Sequence, residues 1–203
     1  MLTKTFFAVG ALLTQLVHGA LQPPVDGYSV VDVQWSLPVD PSNPNGARES
    51  VTGTIEEAIA QMEAAHPGWN QTFTSNIKFA DTHTLLTRDD NPVRDSWECN
   101  YKVNVGPANS VNIRDGARYL SAIDSPPPKN APLGCGRVSC AYNSAIWWCN
   151  DNSFEYEITW KNIASSAWTL QDECSFWDGN TEKVCAWEKM QKKWKVYVLG
   201  ASC

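Results

Sequence analysis

The side chains in this 203-residue chain best suited to covalent or metal chemistry are seven cysteines and three histidines. All seven cysteines lie in the last part: Cys99, Cys135, Cys140, Cys149, Cys174, Cys185 and Cys203. Zinc sites use closely spaced cysteine pairs, often with histidine. No CxxC pair occurs, no histidine follows His83, and Cys135-x4-Cys140-x8-Cys149 is not a zinc-ribbon spacing. The expectation is therefore a disulfide framework without metal. Six of the cysteines (Cys99, Cys135, Cys140, Cys149, Cys174 and Cys203) are expected to pair, and the sequence does not choose among the connectivities. Cys185, between Val184 and Ala186-Trp187, sits in an ordinary strand pattern and is the expected odd thiol. It is available to link two copies of the chain.

The histidines also bear on catalysis. His18 falls in the leader described below, His66 precedes Pro67 at a helix end, and His83 lies in a polar junction. A cysteine-rich half without histidine has no Ser-His-Asp triad and no Cys-His pair. Asp151, Glu155 and Glu157 could serve a glycosidase, which needs only two carboxylates, but they read as a solvated turn. No catalytic residue, no cofactor and no enzyme activity are expected. Binding is the better prospect. Trp147 and Trp148 are adjacent on a strand pattern and must point to opposite faces. With Arg137, Asn150, Asp151 and Trp194 they form the candidate binding surface, since exposed Trp rings suit sugar stacking and protein hot spots. Asn150-Asp151-Asn152 lacks the Gly and Glu of a calcium loop and reads as a turn. The KMQKKWK run from Lys189 to Lys195 reads as a solvated hairpin turn, with anionic lipid or acidic glycan as its other use.

Composition bounds the partners. Sixteen Lys and Arg against 22 Asp and Glu leave a formal charge of −6, which argues against nucleic acid. Met1 to Ala20 has a positive start at Lys4, an apolar run from Phe6 to Leu13 and a small-residue end. This is a secretory leader, too short in its apolar part to span about 30 Å of hydrocarbon. The expected product is secreted, with no transmembrane segment.

The rest divides by composition. Residues 21–88 have no cysteine and a net charge of −5; residues 89–203 hold every cysteine, eight of the ten Trp and a net charge of −2. The first part reads as a small β-α-β unit: a strand over Tyr28–Leu37, a loop over Pro38–Gly46, and a helix opened by the capping box Thr54 to Glu57. Ile55, Ile59 and Met62 form that helix's stripe, Pro67-Gly68 stops it, and Asn76–Ala80 supplies a second strand. Asn70-Gln71-Thr72 is a glycosylation sequon in a loop. The unit is either a propeptide, cut near Arg88-Asp89, or a retained subdomain. The second part reads β-α-β-β-α-β-β. Its strands begin at Trp97–Val105. Asn109 or Ser110 caps a helix with Ile113, Ala117, Leu120 and Ile123 on one face and Gly116 as a close-packing point. Hairpins fall at Gly136–Cys149 and Val184–Leu199, and a second helix at Ile158–Glu173. The fold class is α+β, a disulfide-stabilised antiparallel sheet with two helices on one side, preceded by the β-α-β unit.

Ile113-Arg114-Asp115-Gly116-Ala117-Arg118-Tyr119-Leu120, Cys135-Gly136-Arg137-Val138-Ser139-Cys140 and Ala145-Ile146-Trp147-Trp148-Cys149-Asn150-Asp151 resemble segments of small cysteine-rich proteins secreted by filamentous fungi. The Trp194–Val198 strand and the terminal Cys203 fit the same group, and the element order distantly resembles the killer-toxin-like fold. The resemblance covers about residues 97–203. It implies an effector or toxin-like virulence factor that binds a target in or on another organism's cell, either a host or competitor protein or a cell-surface glycan. The Trp content suggests the alternative, a carbohydrate- or cell-wall-binding module, and a small hydrolase comes third.

Overall fold

A computed structural model describes residues 21–77, 93–100 and 106–203. The leader, His83, the Arg88-Asp89 junction and the end of the Trp97–Val105 strand reading lie outside the described residues.

The elements run in this order. β1 (Ser29–Val31), β2 (Gln34–Pro38) and β3 (Arg48–Thr52) precede α1 (Ile55–Ala65) and α2 (Trp69–Asn76). β4 (Arg94–Cys99) and β5 (Ala108–Asn109) lead into α3 (Ser110–Ala122). Next come β6 (Lys129–Asn130), β7 (Gly134–Ala141), β8 (Ser144–Asn150) and β9 (Tyr156–Glu157). α4 (Trp160–Cys174) is followed by β10 (Phe176–Asp178), β11 (Thr181–Val184), β12 (Ala186–Met190) and β13 (Trp194–Gly200). The main sheet has the order β1-β7-β8-β13-β12-β4. Its pairs are antiparallel except β1 with β7, so the sheet is mixed rather than purely antiparallel. A small sheet, β10-β11-β5, had no counterpart in the sequence pattern, because its strands are too short to show alternation.

The protein is a disulfide-stabilised α+β fold. α3 and α4 pack on one face of the main sheet, and α1 joins them against β7 and α3. Local chemistry starts two helices as expected: Thr54 Oγ1 and Glu57 close the capping box of α1, and Asn109 caps α3. Thr159, inside the span read as helix, caps α4. Gly116 is a true contact point: a Cβ there would lie 2.2 Å from Ser139 Oγ. The β7–β8 hairpin turns at Tyr142-Asn143, both at positive φ, which suits the strand twist of a two-residue hairpin.

The first part differs from the β-α-β reading. Tyr28–Leu37 is two strands in two sheets, β1 in the main sheet and β2 paired with β3. Asn76 ends α2, and residues 78–80 of the second-strand reading lie outside the described residues. Trp69 and Phe73 stand one turn apart and both are buried. The hydroxyls of Thr72, Thr74 and Ser75 donate back to carbonyls of the preceding turn, which by itself does not favour a helix, so the polar stretch is held as α2 by the burial of Trp69 and Phe73. The sequon Asn70 therefore stands exposed in the first turn of α2 rather than in a loop.

The first part shares one core with the second. Trp35 of β2 stacks on Trp160 of α4 at 4.1 Å between ring centroids. Both belong to a continuous apolar cluster with Ile113, Leu120, Trp148, Ile163, Leu170 and Trp194.

Three disulfides lace the second part: Cys99–Cys174, Cys135–Cys149 and Cys140–Cys203. The six cysteines are those expected, and Cys185 stays a buried thiol. Loops of 75 and 63 residues contribute about 4 kcal/mol each by restricting the unfolded chain, and the 14-residue loop about 3. Burial of Cys185 shields it from a second copy, which counts against the expected disulfide-linked dimer.

Candidate functional site

Paired residues on neighbouring strands share a face, so the registers assign each side chain to the helix side or the outer side of the main sheet. Ile146, Trp148 and Asn150 of β8 share the helix side with Trp194, Val196 and Val198 of β13. The outer side carries two rows. One runs Val30, Cys135, Cys149, Lys195, Lys189. The other runs Arg137, Trp147, Tyr197, Trp187, Glu98.

The second row is a continuous polar–aromatic ladder. The Arg137 guanidinium lies 5.9 Å from the Trp147 ring centroid, and its Nη1 donates to Ser202 O at 2.7 Å. Burial lowers the pKa of Arg137, and the carboxylates of Glu57 and Glu56 offset only part of this. Tyr197 and Trp187 have ring centroids 6.3 Å apart, and Trp187 Nε1 donates to Glu98 at 3.1 Å.

At the end of the first row, Asp151 collects three partners. Tyr28 Oη donates to its Oδ1, and the ammonium groups of Lys195 and Lys189 stand 3.1 and 3.3 Å from Oδ2. Lys195 Nζ also lies 3.3 Å from Tyr28 Oη and over the Tyr28 ring. Burial acts to raise the pKa of Asp151, but the Tyr28 hydrogen bond and the two lysines outweigh it and hold the carboxyl below its usual value. Burial, together with the Asp151 hydrogen bond and charge, pushes the Tyr28 hydroxyl well above its ordinary value.

The candidate surface drawn from the sequence is corrected here. Trp147 and Trp148 do face opposite sides, but they are 2% and 0% exposed, and Trp194 is 1% exposed. The sheet is covered on both faces: helices cover Trp148 and Trp194, while Val25, Tyr28, Val30 and Ala201 pack on the outer cluster that holds Trp147. Asn150 is fully buried and organises a loop. Its Nδ2 faces the carbonyls of Asn130, Ala131 and Phe154, and its Oδ1 accepts from Asn152. Only Arg137 and Asp151 keep partial exposure, and both are engaged.

The lysine run does form a hairpin turn, with Lys193 at positive φ. Asp151 pairs with Lys189 and Lys195, while Lys192 and Lys193 stand exposed at the turn. Of the remaining carboxylates, Glu157 pairs with Lys129 at 3.4 Å. His66 pairs with Glu49 at 2.7 Å. Among the described residues no group of three or more His, Cys, Asp or Glu is placed to hold a metal ion, and no helix is long and apolar enough to cross a membrane.

Other aromatics reach solvent. Trp177 on β10 is 73% exposed, Tyr142 at the β7–β8 turn 86%, and Trp97 on β4 54%. Trp97 rests on Arg94, whose guanidinium is held by Glu173 at 2.6 Å and by the fully buried Glu188 at 2.7 Å. That ion cluster anchors β4 beside the Cys99–Cys174 bridge. The sequence offered no signal separating these Trp residues from the buried ones, since exposure depends on which strand lies alongside. No family model, curated protein or solved structure matches the chain.

Proposed function

We propose that the protein is a secreted fungal effector or toxin-like virulence factor that acts by binding a target in or on another organism's cell. The observation that carries this reading is a disulfide-laced frame displaying large aromatics that do no core work, Trp177, Tyr142 and Trp97. Exposed Trp and Tyr on a rigid frame make low-entropy anchors for a partner. The resemblance of the cysteine-rich segments to secreted fungal proteins points the same way. Residues 21–77 belong to the working molecule in this reading, because their removal would strip Trp35 from Trp160 and uncover the outer face of the sheet.

The test is binding of labelled protein to target cells, comparing wild type with Trp177→Ala and Tyr142→Ala. Both substitutions lie on the surface and should change stability by no more than about 0.5 kcal/mol. A hot-spot anchor should instead cost about tenfold or more in cell binding. Unchanged binding in both variants would remove these anchors from the reading. The alternative, a carbohydrate-binding module, draws on Trp177, which stands across from Glu182 on β11 and so combines a stacking ring with a hydrogen-bonding group. Retention on chitin, glucan or cellulose that is lost in Trp177→Ala would favour it.

A further inference from the structure

The ends of five neighbouring strands lie side by side at one end of the main sheet. β7 begins after Leu133, β8 runs out at Asn150, the Lys192-Lys193 turn joins β12 to β13, and β4 begins after Val93. The antiparallel registers place all of these at the same end. With strands about 4.8 Å apart, the row from β7 to β4 is about 19 Å wide.

Two buried asparagines tie the loops there into one tip. Asn150 Nδ2 faces Ala131 O at 3.1 Å and Phe154 O at 2.8 Å. Asn152 Nδ2 faces Lys192 O and Lys193 O, each at 3.1 Å. Gln191 N–H donates to Val93 O at 3.0 Å, which adds the start of β4.

The tip interleaves exposed apolar side chains with lysines. Val93 is 56% exposed, Leu133 47% and Phe154 58%. Lys192 and Lys193 are exposed between them in the row. Four lysines (Lys189, Lys192, Lys193 and Lys195) stand against two acids (Asp151 and Glu155), a local charge of +2 on a chain of −6. Leu133 and Lys193 also hold positive φ, +53° and +57°. Gly or Asn would take that backbone at less cost, yet the chain presents a leucine and a lysine there. An apolar row edged by cations is suited to the boundary of an anionic bilayer. Apolar groups enter the headgroup region, and lysine stems bend to keep their ammonium groups at the phosphates.

We propose that this end of the sheet docks on a membrane of anionic phospholipid. Val93, Leu133 and Phe154 enter the headgroup region, and Lys192 and Lys193 meet the phosphates. This goes beyond the target-binding reading and uses none of its anchors. Tyr142, one of them, lies at the opposite end of β7 and β8.

The experiment is co-sedimentation with vesicles of phosphatidylcholine alone and of phosphatidylcholine in a two-to-one mixture with phosphatidylserine. The protein starts at Leu21, so that the apolar run from Phe6 to Leu13 takes up no lipid. Uptake should be at least about tenfold higher on the anionic vesicles and should fall with added salt. The double variant Lys192→Glu, Lys193→Glu should lose about tenfold or more on those vesicles. Leu133→Gly and Phe154→Ser should each lose about threefold or more with the charge unchanged. Circular dichroism and the intact disulfide count identify which variants are folded, and Leu133→Gly suits the left-handed backbone. Equal uptake on both vesicles, or none on either, would overturn the proposal. So would uptake that needs the lysines but neither apolar side chain. Retention on heparin without uptake on vesicles would also overturn it and give the lysines to an acidic glycan. Failure here leaves the target-binding reading standing, and loss of cell binding in the Trp177 variant leaves the membrane contact standing.

Discussion

Glu56 on α1 accepts two hydrogen bonds from β7, from Ser139 Oγ at 2.6 Å and from Cys140 N–H at 2.9 Å. Cys140 lies beyond the residues of β7 that pair with β1, Gly134 to Gly136, so the carboxylate takes the place of a neighbouring strand at that edge. A carboxylate from the cysteine-free part thus completes a strand of the cysteine-rich part. With the Trp35–Trp160 stack, it makes the two parts one folding unit.

Trp35→Ala should destabilise the whole protein by about 3–5 kcal/mol, as removal of a buried aromatic does. Because Trp35 and Trp160 share one cluster, thermal unfolding should remain a single transition at lower Tm. Two transitions in calorimetry, with only one moved, would show that the parts unfold independently.

Gly116→Ala should cost about 1–3 kcal/mol, since its Cβ would meet Ser139 Oγ at 2.2 Å and Ser139 Cβ at 3.1 Å. Adding Ser139→Ala removes the closer atom and should recover part of the loss, although it also breaks the Glu56 hydrogen bond. Denaturant melts of the single and double variants check this, and simple additivity would contradict the contact.

The cluster of Tyr28, Asp151 and Lys195 should respond to pH at both ends. The carboxyl of Asp151 is depressed in the folded state, so its contribution is present above the unfolded value of about 3.9 and is lost as pH falls through the lower folded value. The Tyr28 hydroxyl is raised, so its contribution is present below about pH 10 and is lost as pH rises further. Tyr28→Phe should flatten the alkaline limb, and Asp151→Asn the acid limb, of stability measured by denaturant melts at each pH. Unchanged limbs would show that this cluster does not couple to folding.

Mass spectrometry of non-reduced protein should show three disulfides and one thiol, at Cys185. Burial, reinforced by the charge of Glu98, pushes that thiol up to about 11, so native protein should resist alkylation at pH 8 and label only on unfolding. Cys185→Ala should leave the oligomeric state unchanged. A covalent dimer lost in this variant would restore the disulfide link.

Much of the architecture was legible in the chain because it is local. Thr54 and Glu57, Asn109 and the periodic faces of α1 and α3 act within a few residues, and the bias they impose survives into the fold. The odd standing of Cys185 was readable for the same reason, from its strand neighbours. The opposite orientation of Trp147 and Trp148 also follows from strand geometry alone. Their burial does not. That of Trp147 depends on Val25, Tyr28 and Val30 returning to the sheet more than a hundred residues away in sequence, a parallel pairing that leaves no local pattern, and that of Trp148 on the helices packed against the other face. Likewise, no spacing rule links Tyr28 to Asp151 and Lys195, or Glu56 to Ser139. Sequence alone determined which residues could form strands, helices and bridges. The tertiary structure decided which aromatics face solvent and which polar groups meet, because both depend on long-range packing of the sheet's two covered faces.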